Sequence, residues 1–308
     1  MSRRIVNKKN WGAIILSPGC DNDCFFCGLT PNPTAAVLRE QEIKVFKNLV
    51  NFKTMGIKNI EISGSDPIEY DEIISLIKYI KKIGFEFIQL STHGKKLAEK
   101  PFLTKLAKAG LDKVRIPLYG SQAEIHDAVT RTKGSFSATL KGIKGLLKDA
   151  PNIQICIGSL IVQQNKNDLT NLLDLIKKLK INDFYFSIPC IANNDYSYYV
   201  PFKNLRPYVK KIFNYANKIN YSLEFFEIPY CVFGQINKSI NNTSLPPDLG
   251  KYCQPSEENR TSIKDLPKYR MKKKVAMCKG CKCANFCDGF FVNDIDKFGI
   301  GNIKPIGK

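Results

Sequence analysis

The chain has 308 residues, a hydrophobic fraction of 44% and a formal net charge of +19. This suits one large α/β domain, or a domain with an appendage, with ample apolar surface for a core. No apolar run reaches the ~20 residues of a membrane span, and the start Met-Ser-Arg-Arg-Ile-Val-Asn lacks the apolar region of a signal peptide, so a cytoplasmic protein without a membrane partner is expected. The cysteines number 11, an odd count, and clustered cysteines in a cytosolic chain favour metal ligation over disulfides. The basic excess admits a nucleic-acid partner such as tRNA, because neutralised phosphates dominate that binding and make it steeply salt-dependent. Its spread over Lys78, Lys81, Lys82, Lys177, Lys178, Lys210 and Lys211 reads instead as solvated helix faces, with only Lys272-Lys273-Lys274 forming a run.

Trp11 to Leu16 reads as a buried strand ending at Ser17-Pro18-Gly19. A helix is predicted over 35–55, with Ile43, Phe46, Leu49 and Val50 on one face. A second strand spans Lys58 to Ser63, and a helix carrying Ile73, Ile74, Ile77 and Ile80 follows. A third strand, Phe85 to Leu90, leads into a helix from Lys95 to Ala109 that stops at Gly110. The fourth strand is Lys113 to Leu118, followed by helical stretches at 121–129 and 136–148. The fifth is Asn152 to Val162, before a helix striped by Leu169, Leu172, Leu173, Ile176 and Leu179. The sixth is Asp183 to Ile188, with a helix at 202–219.

Short strands, apolar on both faces and alternating with helices, indicate a parallel sheet with right-handed crossovers. Six such units make a partial (β/α)6 TIM-type barrel over residues 1–220, with chemistry expected at the carboxyl ends of the strands. Residues 221–308 read as a Cys-rich extension, and its stretch from Cys231 to Met277 has too little periodic apolar surface to fold alone. Cys156 and Cys190, on predicted strands, read as small core residues.

The loop after the first strand is Cys20-Asp21-Asn22-Asp23-Cys24-Phe25-Phe26-Cys27. A structural zinc site wants four ligands, usually with a two-residue gap in each half. Here the first gap is three residues and no further cysteine follows until Cys156. Iron–sulfur clusters are usually held by four thiolates, so a three-thiol loop implies an iron left open to something else. After the second strand comes Ser63-Gly64-Ser65-Asp66-Pro67, after the third Ser91-Thr92-His93-Gly94, and after the fourth Arg115-Ile116-Pro117-Leu118-Tyr119-Gly120. Then follow Ala123-Glu124-Ile125-His126-Asp127, Arg131 and Gly134-Ser135-Phe136. In the tail, Cys278, Cys281 and Cys287 are spaced by two and then five residues, with Cys283 between and Cys231 and Cys253 upstream. A zinc ribbon uses the same thiols but needs a second two-residue pair, which is missing.

The Cys loop resembles that of the radical S-adenosylmethionine (radical SAM) enzymes, in which the open iron binds SAM and electron transfer yields a 5′-deoxyadenosyl radical. The resemblance runs in matching order over residues 12–190. It implies Cys20, Cys24 and Cys27 as ligands of a [4Fe-4S] cluster, with Phe26 beside the adenine. The run Gly64, Ser65, Asp66, Pro67 is similar to the family's Gly-Gly-Glu-Pro, whose backbone edge receives the SAM amino group. His93 stands where many members have the Asn of Thr-Asn-Gly. Arg131 is a candidate to pair with the SAM carboxylate through a two-bond fork, or only to hold its loop. The block Ile116 to Phe136 and the tail resemble peptide-maturase members with an auxiliary cluster of SPASM or twitch type. That implies a second [4Fe-4S] cluster on Cys278, Cys281 and Cys287, with Cys231, Cys253 or Cys283 as fourth ligand. It also implies a peptide or protein substrate and a flavodoxin- or ferredoxin-type donor. The alternatives are radical SAM modification of tRNA and a non-catalytic, zinc-stabilised binding module.

Overall fold

The computed structural model describes residues 10–27, 33–190, 195–235, 240–241 and 271–307. Its centre is one parallel sheet of eight strands in sequential order. They are β1 (Trp11–Ile15), β2 (Asn59–Ser63), β3 (Phe87–Ser91), β4 (Lys113–Pro117), β5 (Gln154–Leu160), β6 (Asp183–Ser187), β7 (Glu224–Phe226) and β8 (Ile240–Asn241). The helices are α1 (Ala35–Thr54), α2 (Ile73–Lys82), α3 (Lys100–Lys108), α4 (Ala123–Thr130), α5 (Ser135–Asp149), α6 (Leu169–Lys178) and α7 (Phe202–Lys218), then the short α8 (Tyr230–Phe233) and α9 (Val292–Phe298). The expected partial barrel is present, and the sheet continues past residue 220 by two short strands that periodicity missed. Both are too brief, three residues and two, to show an alternation. Among the described residues no helix is long and apolar enough to cross a membrane.

The expectation of strands apolar on both faces is corrected. One face of each strand packs beneath the helices: Ile60, Ile62, Ile88, Leu90, Val114, Ile116, Ile157, Phe184 and Phe186 all lie in the main core. On β2, β4 and β6 the opposite face carries charge. Arg115 Nη1 donates to Glu61 Oε1 at 2.6 Å, Lys113 Nζ to Asp183 Oδ2 at 2.6 Å, and the Arg115 guanidinium lies 5.8 Å from the Tyr185 ring centroid. The inner face of a curled, unclosed sheet is not filled by apolar layers, so ionic pairs line it and a third of the Arg115 side chain (35%) stays accessible.

Two helices differ from their sequence reading. On α1 the buried residues are Val45, Leu49 and Phe52, whereas Ile43, Phe46 and Val50 are exposed. α1 therefore carries two apolar stripes, and the sheet covers one of them. Phe52 settles over Gly12 of β1, where a Cβ would lie 2.5 Å from the ring. The helix predicted from Lys95 to Ala109 is broken into a 3₁₀ turn (Lys95–Ala98) and α3, with Glu99 extended between them. Pro101 explains the break, since it starts helices well and cannot sit inside one. Elsewhere the stripes behave as read: Leu169, Leu172, Leu173 and Ile176 of α6 are all buried.

The tail packs back on the sheet. Its antiparallel ribbon pairs β9 (Lys272–Lys273) with β10 (Phe290–Phe291), and both phenylalanines contact the Phe202 ring at the start of α7. Lys272 is buried against Glu227 and Phe291. Asp294 of α9 is fully buried and accepts the Phe202 backbone N–H at 3.1 Å. Burial raises its carboxyl to about 6, against the pull of the Phe202 N–H, the Tyr199 hydroxyl and Lys203. The native state therefore holds this proton more tightly than the unfolded chain, and stability falls as pH rises through about 4 to 6. Asp294→Asn should flatten that slope, recovering about 2 kcal/mol relative to the parent between acid and neutral pH, read as melting temperature against pH.

Candidate metal centre

The loop from Ser17 to Cys27 leaves the carboxyl end of β1 and is stapled to the loop after β2. Leu16 N–H donates to Ser63 O at 2.7 Å, Ser65 N–H to Ser17 Oγ at 3.1 Å, and Asp66 N–H to Gly19 O at 3.0 Å. Ser65 Oγ accepts from Gly19 N–H (3.1 Å) and donates to Gly19 O (2.7 Å). A glycine at position 65 could not make this double staple, which gives the departure from Gly-Gly-Glu-Pro a structural use. At Gly64 the two loops approach so closely that a Cβ would lie 1.9 Å from Leu16 O, on a backbone with φ +150°.

Each of the three residues between Cys20 and Cys24 is gripped from another loop. Asp21 Oδ1 lies 2.7 Å from His93 Nε2 and 3.0 Å from Lys95 Nζ. Asn22 Oδ1 accepts from Lys95 Nζ at 2.6 Å. Asp23 takes the Arg131 fork, Nε to its backbone oxygen at 2.6 Å and Nη2 to Oδ1 at 2.7 Å. Arg131, in the left-handed region at φ +52°, thus grips a carboxylate of its own chain and holds the loop. Motif spacing treats these intervening residues as fillers, so sequence reasoning overlooked them and Lys95. In the structure they are the handles.

His93 and Asp66 meet behind the loop. His93 Nε2 lies 2.6 Å from Asp66 Oδ2, and both side chains are buried. Burial pushes the imidazole pKa down, but the hydrogen bonds to Asp66 and Cys20 and the charges of Asp66 and Asp21 outweigh it and hold it up, at about 10. Pro67 opens a 3₁₀ turn whose Ile68 N–H is capped by Asp66 Oδ1 at 3.4 Å.

The three thiols of the loop are mutual neighbours. Burial first, then Cys27 and Cys20, push the Cys24 thiol up to about 12. A soft cationic metal takes a cluster of neighbouring thiols as thiolates. The donor set therefore fits a thiolate-held iron cluster. Beside it stands an aromatic wall: Phe25 stacks on Tyr198 at 5.0 Å, and Phe26 meets Tyr119 edge-on at 5.4 Å. Tyr119, Tyr198, Tyr199, Val129 and Val162 form a second small core into which Phe298 of α9 also packs.

His126 is structural here. Its Nδ1 accepts the Tyr119 N–H at 3.1 Å, and burial lowers its pKa to about 4, so it is neutral near pH 7. Asp127 does more than the sequence suggested: its carboxylate accepts from Gly134 N–H (2.6 Å), Ser135 Oγ (2.8 Å) and Phe136 N–H (2.7 Å), capping α5. Removing this cap with Asp127→Ala should cost about 2 kcal/mol in thermal unfolding. Asp127→Asn should cost about half as much.

In the tail, Cys231, Cys278, Cys281, Cys283 and Cys287 line one cavity with Tyr230, Met277 and Phe290. Cys231, on α8, is buried, and burial with the neighbouring Cys287, Cys278 and Cys281 drives its thiol up to about 12. It thus faces all three thiols of the spaced motif. Cys283 is also buried and raised to about 12, and its N–H donates to Cys281 Sγ at 3.5 Å. Cys253 lies outside the described residues. Cys156 is buried on β5 and Cys190 is half-buried beyond β6.

These loops, all at the carboxyl ends of parallel strands, define an enzyme class. The chain belongs to the radical SAM superfamily, whose family model matches residues 14–176. It is an enzyme of that class, and the binding-module alternative gives way. Among its relatives are the GTP 3′,8-cyclase of Petrotoga mobilis, 30% identical over 168 residues (53% of this chain, 50% of that protein). The GTP 3′,8-cyclase of Limosilactobacillus fermentum is 29% identical over 187 residues, 59% of this chain and 54% of its own length. The chain thus spans about half the length of these curated relatives. In fold it is similar to Streptococcus suis SuiB, with a TM-score of 0.61 at 19% identity over 97% of this chain and 77% of that one. The structure of anSMEcpe with bound AdoMet and a peptide gives a TM-score of 0.53 at 15% identity, covering 70% and 63% of the two chains.

Proposed function

We propose that this enzyme modifies a peptide or protein side chain, with one [4Fe-4S] cluster on Cys20, Cys24 and Cys27 and a second on Cys278, Cys281, Cys287 and Cys231. When bound, the first cluster and SAM supply an electron and a 5′-deoxyadenosyl radical. On this reading the Gly64 to Pro67 edge receives the SAM amino group, Phe26 with Tyr119 walls the adenine, and Asp21, Asn22 and Asp23 fix the loop. Residues 1–220 are read as the core and 221–308 as the extension, with β7 joining the two.

The observation that carries the second cluster is Cys231, and the peptide reading leans on the fold likeness to SuiB and anSMEcpe. A fourth thiol facing the other three completes a cluster's protein ligands, which suits electron transfer rather than direct substrate binding. Two comparisons pull apart here. The GTP cyclases match 53% and 59% of the chain, whereas SuiB, also solved bound to a precursor peptide, is similar in fold over 97% of it. The breadth of the fold likeness to SuiB supports the peptide reading over the nucleotide one.

The test is 5′-deoxyadenosine formation by anaerobically purified enzyme with SAM and a reduced flavodoxin or ferredoxin. GTP should leave the rate unchanged, and a pool of synthetic peptides should raise it. Stimulation by GTP would transfer the reading to nucleotide chemistry. Cys281→Ala should keep uncoupled SAM cleavage within about twofold of the parent and abolish peptide product, since the two clusters are separately ligated. Loss of both activities would make the tail a structural clip.

A further inference from the structure

We infer that His93 is a positioning residue that locks the Cys loop to the loop after β2, and that Asp66 and His93 act as one coupled unit. The inference rests on the assignment of Cys20 as a cluster ligand. His93 Nε2 stands between two carboxylates, Asp66 Oδ2 at 2.6 Å and Asp21 Oδ1 at 2.7 Å. Cys20 Sγ belongs to the same group, its sulfur, an Asp21 oxygen and a His93 nitrogen all lying within 4.8 Å of one another. One ring therefore touches the β2 loop, the spacer of the Cys motif and a thiol of that motif.

The buried member of the group explains why the pair is coupled. Asp66 has no accessible surface, its N–H is tied to Gly19 O at 3.0 Å, and its Oδ1 is turned to the Ile68 N–H at 3.4 Å. Its Oδ2 faces His93. Without the imidazole that oxygen is left as a buried charge short of a partner, a costly state. The chain departs from the Gly-Gly-Glu-Pro and Thr-Asn-Gly patterns at these same two positions, with Asp for Glu and His for Asn. The aspartate is one methylene shorter than glutamate, and the imidazole reaches further than an asparagine amide. In space the two departures touch, so each compensates for the other. The ring stands in the same group as Cys20, and partners around a metal ligand govern metal affinity and tune the reduction potential.

The experiment compares the full-length, anaerobically purified holoenzyme with His93→Asn, Asp66→Glu and the double variant. The measurements are the rate of iron release to a chelator, the electron paramagnetic resonance signal of the reduced cluster and its midpoint potential. Each single variant should release iron from the Cys20 loop about tenfold faster. His93→Asn should also move the midpoint to lower potential. The double variant should return most of the way to the parent in iron release. Melting temperatures of the four proteins give a second view of the coupling, with the double variant expected to melt above either single. A His93→Asn protein with unaltered signal, potential and iron release overturns the inference. So does a double variant no better than the worse single. If the parent carries no reducible cluster signal that depends on Cys24, the ligand assignment fails, and the inference with it.

Discussion

Replacing Cys24 with alanine should abolish 5′-deoxyadenosine formation, to below about one part in a thousand of the parent rate. It should also remove about four irons per chain, whatever the tail retains. Two thiolates cannot hold a cluster that must also keep one iron open. The fold should survive the change, because the loop is tied down by other means. Asp23 N–H donates to Thr130 O at 3.0 Å, the Arg131 fork holds Asp23, and Lys95 holds Asp21 and Asn22. A circular dichroism spectrum like the parent's, with the iron loss, separates a ligand from a structural cysteine. Full iron content in the variant would remove Cys24 from the ligand set. Metal analysis of the parent reports on the tail as well. About eight irons per chain fits two four-iron clusters, and about four irons with one zinc would leave the tail a zinc clip.

The second large effect is expected at Gly64. A methyl group there meets Leu16 O at 1.9 Å, and neither atom is free to yield. Leu16 N–H is bonded to Ser63 O, while Ser65 and Asp66 are bonded to Ser17 and Gly19. The strain must pass into the Cys loop itself. Gly64→Ala should therefore lower stability by about 2 kcal/mol, since a strained backbone position costs of that order. A displacement of about 1 Å at a reacting centre can cost a hundredfold, so SAM cleavage should fall by that much or more. Ser65→Gly, which deletes the hydroxyl staple without adding bulk, should do far less. Equal losses in the two variants would mean that the staple, not the close approach, sets the loop.

Much of this was legible in the sequence. Apolar runs of strand length alternating with striped helices placed β1 to β6 and the helices between them. The spacing of Cys20, Cys24 and Cys27 marked three thiols that the structure brings together, because thiol spacing is a local property of the chain. What escaped is non-local. The residues between Cys20 and Cys24 matter through contacts made 73 to 109 positions away, with Lys95, Arg131 and Thr132. Arg131 was legible as a carboxylate-gripping residue, but which carboxylate depends on the curl of the sheet. The inward charges of Glu61, Arg115 and Asp183 broke the expected two-sided apolar strands for a related reason, since the interior of an unclosed sheet is not a dry core. β7 and β8 are too short to register, and Asp294 looks like an ordinary acidic residue until α9 lies across the start of α7.

Among the described residues β8 does not pair back to β1, so the curled sheet keeps two lateral margins. A closed cup can be entered only by something small or by a chain end. A cup split along its side behaves like a slotted guide. A long thread can be laid in from the flank, with both ends left outside. For a polymeric substrate, the position that reaches the carboxyl ends of the strands could then lie anywhere along the thread, and neither terminus would need to be fed through first.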